Sequence, residues 1–469
     1  MGQPAGHSLR GALLAREFSC ASGASPAAEA AAVQTCLLRW SGCSASAPDA
    51  WELLGDDIGG RAALLTEPAF SSVMSAAARR RFAPMSVAHC DVAQRIAAQV
   101  GTHEDVVPAL DDLFERWDGT GIPHGDSADG IAVAARVAVL AGDVEALVRV
   151  HGTEAALGVV ADRSGLTYDP ALVAVARDAV TRWLALLEDD DAYDLLHDAA
   201  AGWPHVAPSR TTDVLHVLGD FADLKVPSLA GHTDATTTLA VGVAPLLDVD
   251  VTVARHAALV HDLGRAGVSN AVWERQRPLR GSDRESVELH SYYTYRCVHR
   301  LTGFDEVASI AALHHERLDG RGYHRQLPGS SQPPAARLLA VADRAAAMSA
   351  GRPHRPALHL DAIAATLRSE AAEGIVDAQC VAAVLQVLGA PSAAVVWPAE
   401  LTPREVDVLR LLARGMTNRA AARRLRIAEK TVGRHAESLY GKLGVNNRAA
   451  LTYEALRRNL LSPLGEPQP

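Results

Sequence analysis

The stretch Glu115-Arg116-Trp117-Asp118-Gly119-Thr120-Gly121 recurs further along the chain as Glu316-Arg317-Leu318-Asp319-Gly320-Arg321-Gly322. The same offset aligns more of the two regions: His89 with His290, and Ala134-Ala135-Arg136 with Ala335-Ala336-Arg337. Chance rarely keeps one register over three separate pieces. Residues 1 to about 200 and 226 to 390 are therefore predicted to be two copies of one domain.

The repeated domain is predicted to be helical. Apolar residues recur at helical spacing throughout the chain, and no long alternating pattern indicates a strand, so the expected fold class is all-α. Clusters of Pro and Gly near 202–204, 225–227 and 390–398 indicate domain boundaries. We therefore expect domains at 1–225 and 226–390, a linker at 391–399, and a C-terminal domain of four helices at 400–469.

Composition limits the possible environment and partners. No apolar run reaches the roughly 18 residues that a membrane span needs, and six scattered cysteines without close pairing are typical of a reducing compartment. A cytoplasmic protein without a membrane partner is expected. The formal net charge is −10, yet residues 401–461 carry 13 Lys and Arg against five Asp and Glu. A basic module on an acidic chain indicates nucleic-acid binding by that module.

The second copy contains polar side chains that are unusual in apolar helices. They are His232, His261, Asp262, His290, His314, His315 and Asp343. A single histidine in such a context is most often a satisfied core or surface residue. Imidazoles and carboxylates are costly to bury, however, so a whole set in one domain calls for a shared partner, and a pair of metal ions is the simplest one.

This set lies in motifs that resemble the HD-GYP phosphohydrolases over about 228–380. The motifs are His261-Asp262-Leu263-Gly264-Arg265, the run from His314 to Tyr323, and Val341-Ala342-Asp343. The resemblance implies one metal held by four residues, namely His232, His261, Asp262 and Asp343. It implies that Asp262 bridges to a second metal completed by His290, His314 and His315. It further implies catalytic roles for Asp262 and Arg265, and a substrate loop containing Asp319, Gly320, Gly322 and Tyr323.

The ligand chemistry agrees with this resemblance. Imidazole and carboxylate ligands without thiolate suit two divalent transition metals, with Fe or Mn expected. Two adjacent metals activate a water and clamp phosphoryl oxygens, so phosphodiester hydrolysis is the expected reaction class. The family's usual substrate is cyclic di-GMP, and another cyclic dinucleotide or phosphodiester ligand is the alternative.

Three positions depart from the family pattern. Arg265 replaces the usual lysine, which keeps the positive charge but changes its geometry. Tyr323 is followed by His324, so the stiffening proline of the substrate loop is missing. Ser228 stands where some members carry a glutamate for a third metal, so two metals are expected.

The first copy lacks most of the ligand set. Gly42 and Trp51-Glu52 match Gly264 and Trp273-Glu274, which places Arg39-Trp40 opposite His261-Asp262. The remaining ligand positions hold Leu113, Phe114 and Gly142, and His89 alone is retained. We expect a degenerate domain without a dinuclear centre. Its retained turn at 117–121 either lines a ligand pocket or serves the fold alone.

The C-terminal domain carries strong helix signals. Thr402 is the predicted N-cap, Pro403 the first helical residue and Glu405 the partner in a capping box. Thr417 is expected to cap a second helix that ends at Leu425. A third helix is expected at 430–443 and a fourth at 448–458.

These segments resemble the LuxR-type helix-turn-helix through Leu401-Thr402-Pro403-Arg404-Glu405, Glu429-Lys430-Thr431-Val432, His435 and Lys442-Leu443-Gly444-Val445. The resemblance implies double-stranded DNA as a partner. Val432, Leu439 and Leu443 are predicted to face the core, which directs Gly433, Arg434 and Glu437 to the major groove. Residues placed for phosphate contacts are Lys430, Thr431, His435 and Lys442. Ala428 lacks a capping side chain, and Gly433 weakens the helix by about 1 kcal/mol.

The leading hypothesis is a transcriptional regulator in which tandem HD-GYP-like domains, the first degenerate, control a LuxR-type DNA reader. One alternative is a cyclic di-GMP phosphodiesterase that DNA binding only localises. Another is a metal domain that senses a phosphorylated ligand without hydrolysing it. A homodimer is expected because two-fold operators suit such recognition helices.

Overall fold

The computed structural model describes residues 2–4, 6–66, 76–189, 191–200, 203, 206–275, 278–279, 281–351, 356–389, 399, 401–457 and 460. The described residues form two compact units, Met1–Thr211 and Thr212–Pro469. Apart from position 399, the predicted linker at 391–399 lies outside the described residues.

The first unit is built from α-helices that enclose an apolar core. They are α1 His7–Ala21, α2 Pro26–Leu38, α3 Ala47–Leu54, α4 Gly59–Thr66, α5 Ala76–Val100, α6 Val106–Asp111, α7 Val133–His151, α8 Thr153–Asp162, α9 Pro170–Asp189 and α10 Ala192–Ala199. Helices α1, α2 and α7 pack against one another at the centre. Small residues such as Ala12, Ala31 and Ala135 are fully buried there, which lets the helix axes approach closely.

The second unit repeats this helical architecture. Its helices up to residue 388 are α11 Thr211–Leu224, α12 His232–Val243, α13 Val251–Val260, α14 Asn270–Trp273, α15 Ser282–Glu288, α16 His290–Val298, α17 Asp305–Ala311, α18 Pro334–Ser349, α19 Leu360–Ala372 and α20 Ala378–Leu388. Helix α11 lies before our proposed boundary at 225, but Asp223 near its end accepts hydrogen bonds from the backbone N–H and the hydroxyl of Thr233. This link ties α11 to the second unit.

Equivalent residues make the same contacts in the two units. The backbone of His89 leaves no room for a side chain at Gly42, and the backbone of His290 leaves none at Gly264. The turn after each repeated motif is also alike. A carboxylate oxygen of Glu115 accepts two backbone N–H bonds, from His124 and Gly125. One of Glu316 accepts them from Arg325 and Gln326. The repeat in the sequence therefore corresponds to a repeat in structure.

The C-terminal helices are α21 Pro403–Ala413, α22 Asn418–Leu425, α23 Glu429–Leu443 and α24 Arg448–Arg457. The capping box of Thr402 and Glu405 forms as predicted, and the Thr417 hydroxyl caps α22 through the N–H of Ala420. Ala428 makes no side-chain cap for α23, also as expected. Residue 458, the predicted end of the fourth helix, lies outside the described residues.

The all-α fold class is confirmed. Within the described residues, extended pairing is limited to two isolated bridges, Ser164 with Tyr168 and Asp319 with Pro328. None of the described helices combines the length and the apolar character needed to cross a membrane.

Candidate metal centre and nucleic-acid interface

All seven predicted metal-binding residues meet in the second unit. They form two groups, and within each group the potential ligand atoms all lie within 4.8 Å of one another. One group is His232, His261, Asp262 and Asp343, and the other is His290, His314 and His315. His261 and Asp262 directly follow the apolar helix α13, and Asp343 lies within α18. Apolar helix packing thus places each polar side chain at a fixed point of the core.

Three of the histidines are oriented by backbone carbonyls. The Nδ1–H of His261 donates to the carbonyl of Ala258 at 2.7 Å, and that of His314 donates to Ala311 at 2.6 Å. His290 makes the same bond to the residue three positions before it. Because Nδ1 carries the proton, the lone pair of each ring lies on Nε2, which is the form that binds a metal.

Asp262 lies between the two groups. Its Oδ2 is 2.9 Å from Nε2 of His261 and 3.4 Å from Nε2 of His232. Its Oδ1 faces the other group, at 3.4 Å from Nε2 of His290 and 3.5 Å from Nε2 of His314. One carboxylate therefore presents a separate oxygen to each group, which is the arrangement of a bridging ligand.

The electrostatics of the site fit a bound cation. Nε2 of His290 and Nε2 of His314 are 3.0 Å apart although both carry lone pairs. Oδ2 of Asp262 forms an ion pair with Arg265, whereas Oδ1 has no ion-pair partner among the described residues other than the two histidines of the second group. Burial opposes ionisation of Asp262, but the charge of the Arg265 guanidinium holds the pKa of its carboxyl well below the usual range. Buried lone pairs and a buried carboxylate that face one another are compensated by positive charge.

His315 belongs to the second group and is held as an unprotonated imidazole. Burial and the neighbouring His314 hold the pKa of the His315 imidazole well below its usual value. Its Nδ1 lies 3.6 Å from Oδ2 of Asp343. A ring that stays unprotonated at neutral pH keeps a lone pair available for a metal.

A cavity of about 390 Å³ opens beside these groups. Arg265, Trp273 and Tyr323 line it together with His290 and His315. Its volume lies within the range of small-molecule binding sites. Among the predicted substrate-loop residues only Tyr323 is part of this lining.

The other substrate-loop residues build the turn that carries Tyr323. Asp319 accepts the backbone N–H of Arg321, and Gly320 adopts a positive φ of 72°. The backbone of Glu316 leaves no space for a side chain at Gly322. Glycine is therefore needed twice in this turn, once for the left-handed conformation and once for the close approach.

The corresponding place in the first unit is filled by an arginine. Nη2 of Arg39 lies 2.8 Å from Oδ1 of Asp143, and Nη1 donates to the carbonyl of Val139. A Cβ added at Gly142 would lie 2.6 Å from Nη1 of Arg39, so the guanidinium occupies the space of the missing Asp343 counterpart. The retained His89 bonds to the backbone carbonyl of Arg39. No potential metal-binding group is found among the described residues of this unit.

The C-terminal helices divide their residues between a core and an exposed face. Val432 and Leu439 are fully buried and Leu443 nearly so, as predicted. Arg434 and Glu437 are exposed on the opposite face of α23, with Lys430 at its start. Gly433, Thr431 and His435 are partly exposed, and Lys442 is exposed.

Two protein-family models match the chain. The HD domain matches residues 216–380, and the model for bacterial regulatory proteins of the luxR family matches 399–455. The chain joins an HD domain to a LuxR-type DNA-binding domain. The first match covers the two candidate metal groups, and the second covers the helix-turn-helix (HTH) helices α21 to α23.

Curated relatives agree with this division. The chain is 30% identical over 306 residues to 3'3'-cGAMP-specific phosphodiesterase 3 of Vibrio cholerae, covering 64% of this chain and 66% of that protein. It is 32% identical over 143 residues to the cyclic di-GMP phosphodiesterase response regulator RpfG of Xanthomonas campestris, covering 30% and 38%. The C-terminal part is 45% identical over 58 residues to a putative HTH-type transcriptional regulator, Rv0890c, of Mycobacterium tuberculosis, covering 12% and 7%. The chain thus spans less than two thirds of the length of these relatives.

A solved structure shares the fold over most of the chain. It is the crystal structure of a cyclic GMP-AMP specific phosphodiesterase of V. cholerae, V-cGAP3, with a TM-score of 0.58 at 23% identity. The match covers 83% of this chain and 94% of that chain. The HD domain is homologous to HD-GYP cyclic dinucleotide phosphodiesterases, and HD domains of this kind bind divalent metals.

The HTH domain has a basic face that the sequence analysis did not assign to DNA. Arg419, Arg423, Arg424 and Arg426 are all exposed on or directly after α22. The first helix of a helix-turn-helix crosses the DNA backbone, which makes this face a candidate for phosphate contacts. Their helical spacing and the polar character of α22 were visible signals in the sequence.

Lys442 forms an ion pair with another residue of the HTH domain. Its Nζ lies 2.8 Å from Oε2 of Glu405, while the hydroxyl of Ser438 donates to Oε1 of the same carboxylate. A contact between Lys442 and a DNA phosphate would compete with this ion pair. Glu405 therefore joins the cap of α21 to the middle and end of α23.

We expect the Glu405→Gln substitution to destabilise the HTH domain by about 1–3 kcal/mol, since the hydrogen bonds from Lys442 and Ser438 lose their charged acceptor, whereas glutamine can still close the capping box. Burial raises the pKa of Glu405, but bonds from Lys442, Ser438 and Thr402 outweigh it and lower the pKa to about 2. The stabilisation is therefore present above the ordinary value of 4.5 and is lost as the pH falls from 4.5 toward 2. Hydrogen exchange of the amides of residues 404–413 in the full chain measures both effects.

Asp407→Asn in the same helix is the matched control. Asp407 forms a half-exposed ion pair with Arg404, which contributes less than about 1 kcal/mol. Equal protection in both variants and the wild type would contradict the role assigned to Glu405.

Proposed function

We propose that this protein is a transcriptional regulator whose HD domain binds two divalent metals and hydrolyses a cyclic dinucleotide. The observation that supports this most directly is the position of Asp262, with one oxygen toward each histidine group. A dinuclear centre requires such a carboxylate, whereas separate structural histidines do not. The homology to cyclic dinucleotide phosphodiesterases supports the substrate class.

In this proposal the first metal is held by His232, His261, Asp262 and Asp343, and the second by Asp262, His290, His314 and His315. Imidazole and carboxylate ligands favour Fe or Mn. When bound, the metals supply a water of lowered pKa and positive charge for the phosphoryl oxygens. Hydrolysis adds one water across a phosphodiester: a P–O bond forms to the water oxygen, the P–O bond to the ribose breaks, and the leaving oxygen takes up a proton.

The chain's own side chains would orient the phosphodiester. Nε and Nη1 of Arg265 are buried beside the cavity without a hydrogen-bond partner among the described residues. A guanidinium in this state can donate to a phosphoryl oxygen. Burial raises the pKa of Tyr323, so its hydroxyl keeps its proton and can donate as well.

For the HTH domain we propose that Gly433, Arg434 and Glu437 enter the major groove of double-stranded DNA. Lys430, Thr431 and His435, together with the arginines of α22, would contact phosphates. A homodimer would match two such helices to a two-fold operator. The first unit, Met1–Thr211, would carry no metal.

One observation favours a second function, in which the HD domain senses a ligand without hydrolysing it. Arg265 forms an ion pair with Oδ2 of Asp262, the oxygen that faces the first metal group. A guanidinium at this point competes with a metal for the carboxylate. Binding without turnover would then control DNA affinity.

The deciding experiment measures metal content, turnover of cyclic di-GMP and 3'3'-cGAMP, and DNA affinity for the full chain expressed with Fe and Mn supplied. About two metals per chain and a linear dinucleotide product are expected. Metal with bound but intact nucleotide would select the sensor, and a metal-free protein would contradict both readings.

A further inference from the structure

A second wall of the cavity takes no part in the proposed hydrolysis. Arg344, Ala347 and Met348 lie on one face of α18 and line the cavity; Arg344 directly follows Asp343, and the other two lie about one helical turn further on. Val226 and Leu229 add apolar surface from the segment before α12. An apolar wall next to a phosphate site suits the flat face of a nucleobase.

The edge of this wall carries a loose ion pair. Nη1 of Arg344 lies 3.4 Å from Oε1 of Glu370, and the two side chains are 24% and 25% exposed. Nε of Arg344 and Oε2 of Glu370 are buried and have no hydrogen-bond partner among the described residues. Buried groups of this kind are costly unless a ligand completes them. The Arg344 guanidinium and the Glu370 carboxylate thus offer donor and acceptor atoms to the cavity.

We propose that this wall is a base-binding subsite at which Glu370 and Arg344 select guanine. Guanine presents N1–H and N2–H donors that match the Glu370 carboxylate, and O6 and N7 acceptors that match the Arg344 guanidinium. Adenine places the lone pair of N1 against the carboxylate instead. This subsite rests on the proposed function in one respect: the phosphodiester of the same nucleotide is taken to lie at the candidate metal residues.

The test compares cyclic di-GMP, 3'3'-cGAMP and cyclic di-AMP on the full chain supplied with Mn²⁺. Calorimetry measures binding, and chromatography measures hydrolysis. The wild type should bind the two guanine-containing nucleotides about tenfold or more tighter than cyclic di-AMP, because a mismatched edge leaves buried polar groups unpaired. Glu370→Ala should bring the three affinities within about threefold while keeping the affinity for cyclic di-AMP.

Glu373→Ala is the matched control, since Glu373 is exposed at the end of the same helix. It should keep the wild-type preference, and circular dichroism checks that both variants fold. Guanine-selective binding without hydrolysis would overturn the proposed enzyme activity and leave the subsite standing. Equal wild-type affinities, no binding of any of the three, or a preference that Glu370→Ala leaves unchanged would overturn the subsite.

Discussion

Asp262→Asn is expected to remove most of the metal from the protein and to lower nucleotide hydrolysis about 10³-fold or more. Asp262 supplies one oxygen to each histidine group, so its replacement weakens both metal positions together. The amide has the same size as the carboxylate but lacks the negative charge that two cations require. The remaining imidazoles would then face one another without a shared anion.

Elemental analysis after expression with Fe and Mn, together with turnover of cyclic di-GMP and 3'3'-cGAMP, measures the loss. Asp305→Asn is the control because its carboxylate is 75% exposed on the same domain. It should keep both metal content and rate. An Asp262→Asn protein that retains two metals per chain would contradict the bridging role.

The repeat could be predicted because its strictest requirements leave marks in the sequence. Gly42 and Gly264 are fixed by the backbone of the histidine that packs on each of them. Glu115 and Glu316 are fixed because each pairs with the backbone of the following turn. Each of these positions tolerates one residue type, so the same residue stands in both copies although the helices around it differ in sequence.

The set of candidate metal residues could also be predicted, because histidine and aspartate are conspicuous inside apolar helices, and the resemblance to the HD-GYP phosphohydrolases implied their division into two groups. The carbonyls that orient three of the histidines leave no such mark, since any residue supplies a carbonyl. Arg344 and Glu370 come from different helices, and each is an ordinary charged residue in its own helix. Only the tertiary structure shows that the two share a cavity.

In the HTH domain, too, local features could be predicted from the sequence and long-range contacts could not. Caps such as Thr402 and Thr417 act within one turn and were predicted from local sequence. The contact of Lys442 with Glu405 joins the start of α21 to the end of α23 and follows no helical period. Its role therefore differs from the phosphate contact that its position in α23 indicates.

The second large effect is expected in DNA recognition by α23. Val432 and Leu439 are buried, so the helix is oriented with Arg434 exposed on the opposite face. Arg434 can donate two hydrogen bonds to O6 and N7 of guanine, a contact that contributes about 1–3 kcal/mol of discrimination. Arg434→Ala should therefore relax the base preference at one position of each half-site, with a loss of about 10-fold or more on the preferred duplex.

Lys430→Ala should act differently, because Lys430 lies at the start of α23 where phosphates are within reach. It should weaken binding to all duplexes alike and lower the slope of log affinity against log salt by about 1, as one fewer counterion is released. A duplex selected from a random pool by the wild type serves as the preferred site, and a scrambled duplex of the same length serves for comparison.

Arg368→Ala, an exposed change on α19 outside the HTH domain, should alter neither quantity. If Arg434→Ala lost affinity equally on both duplexes while Lys430→Ala lost specificity, α23 would be rotated from the orientation that its buried face implies, and Lys430 would be the residue that reads the base.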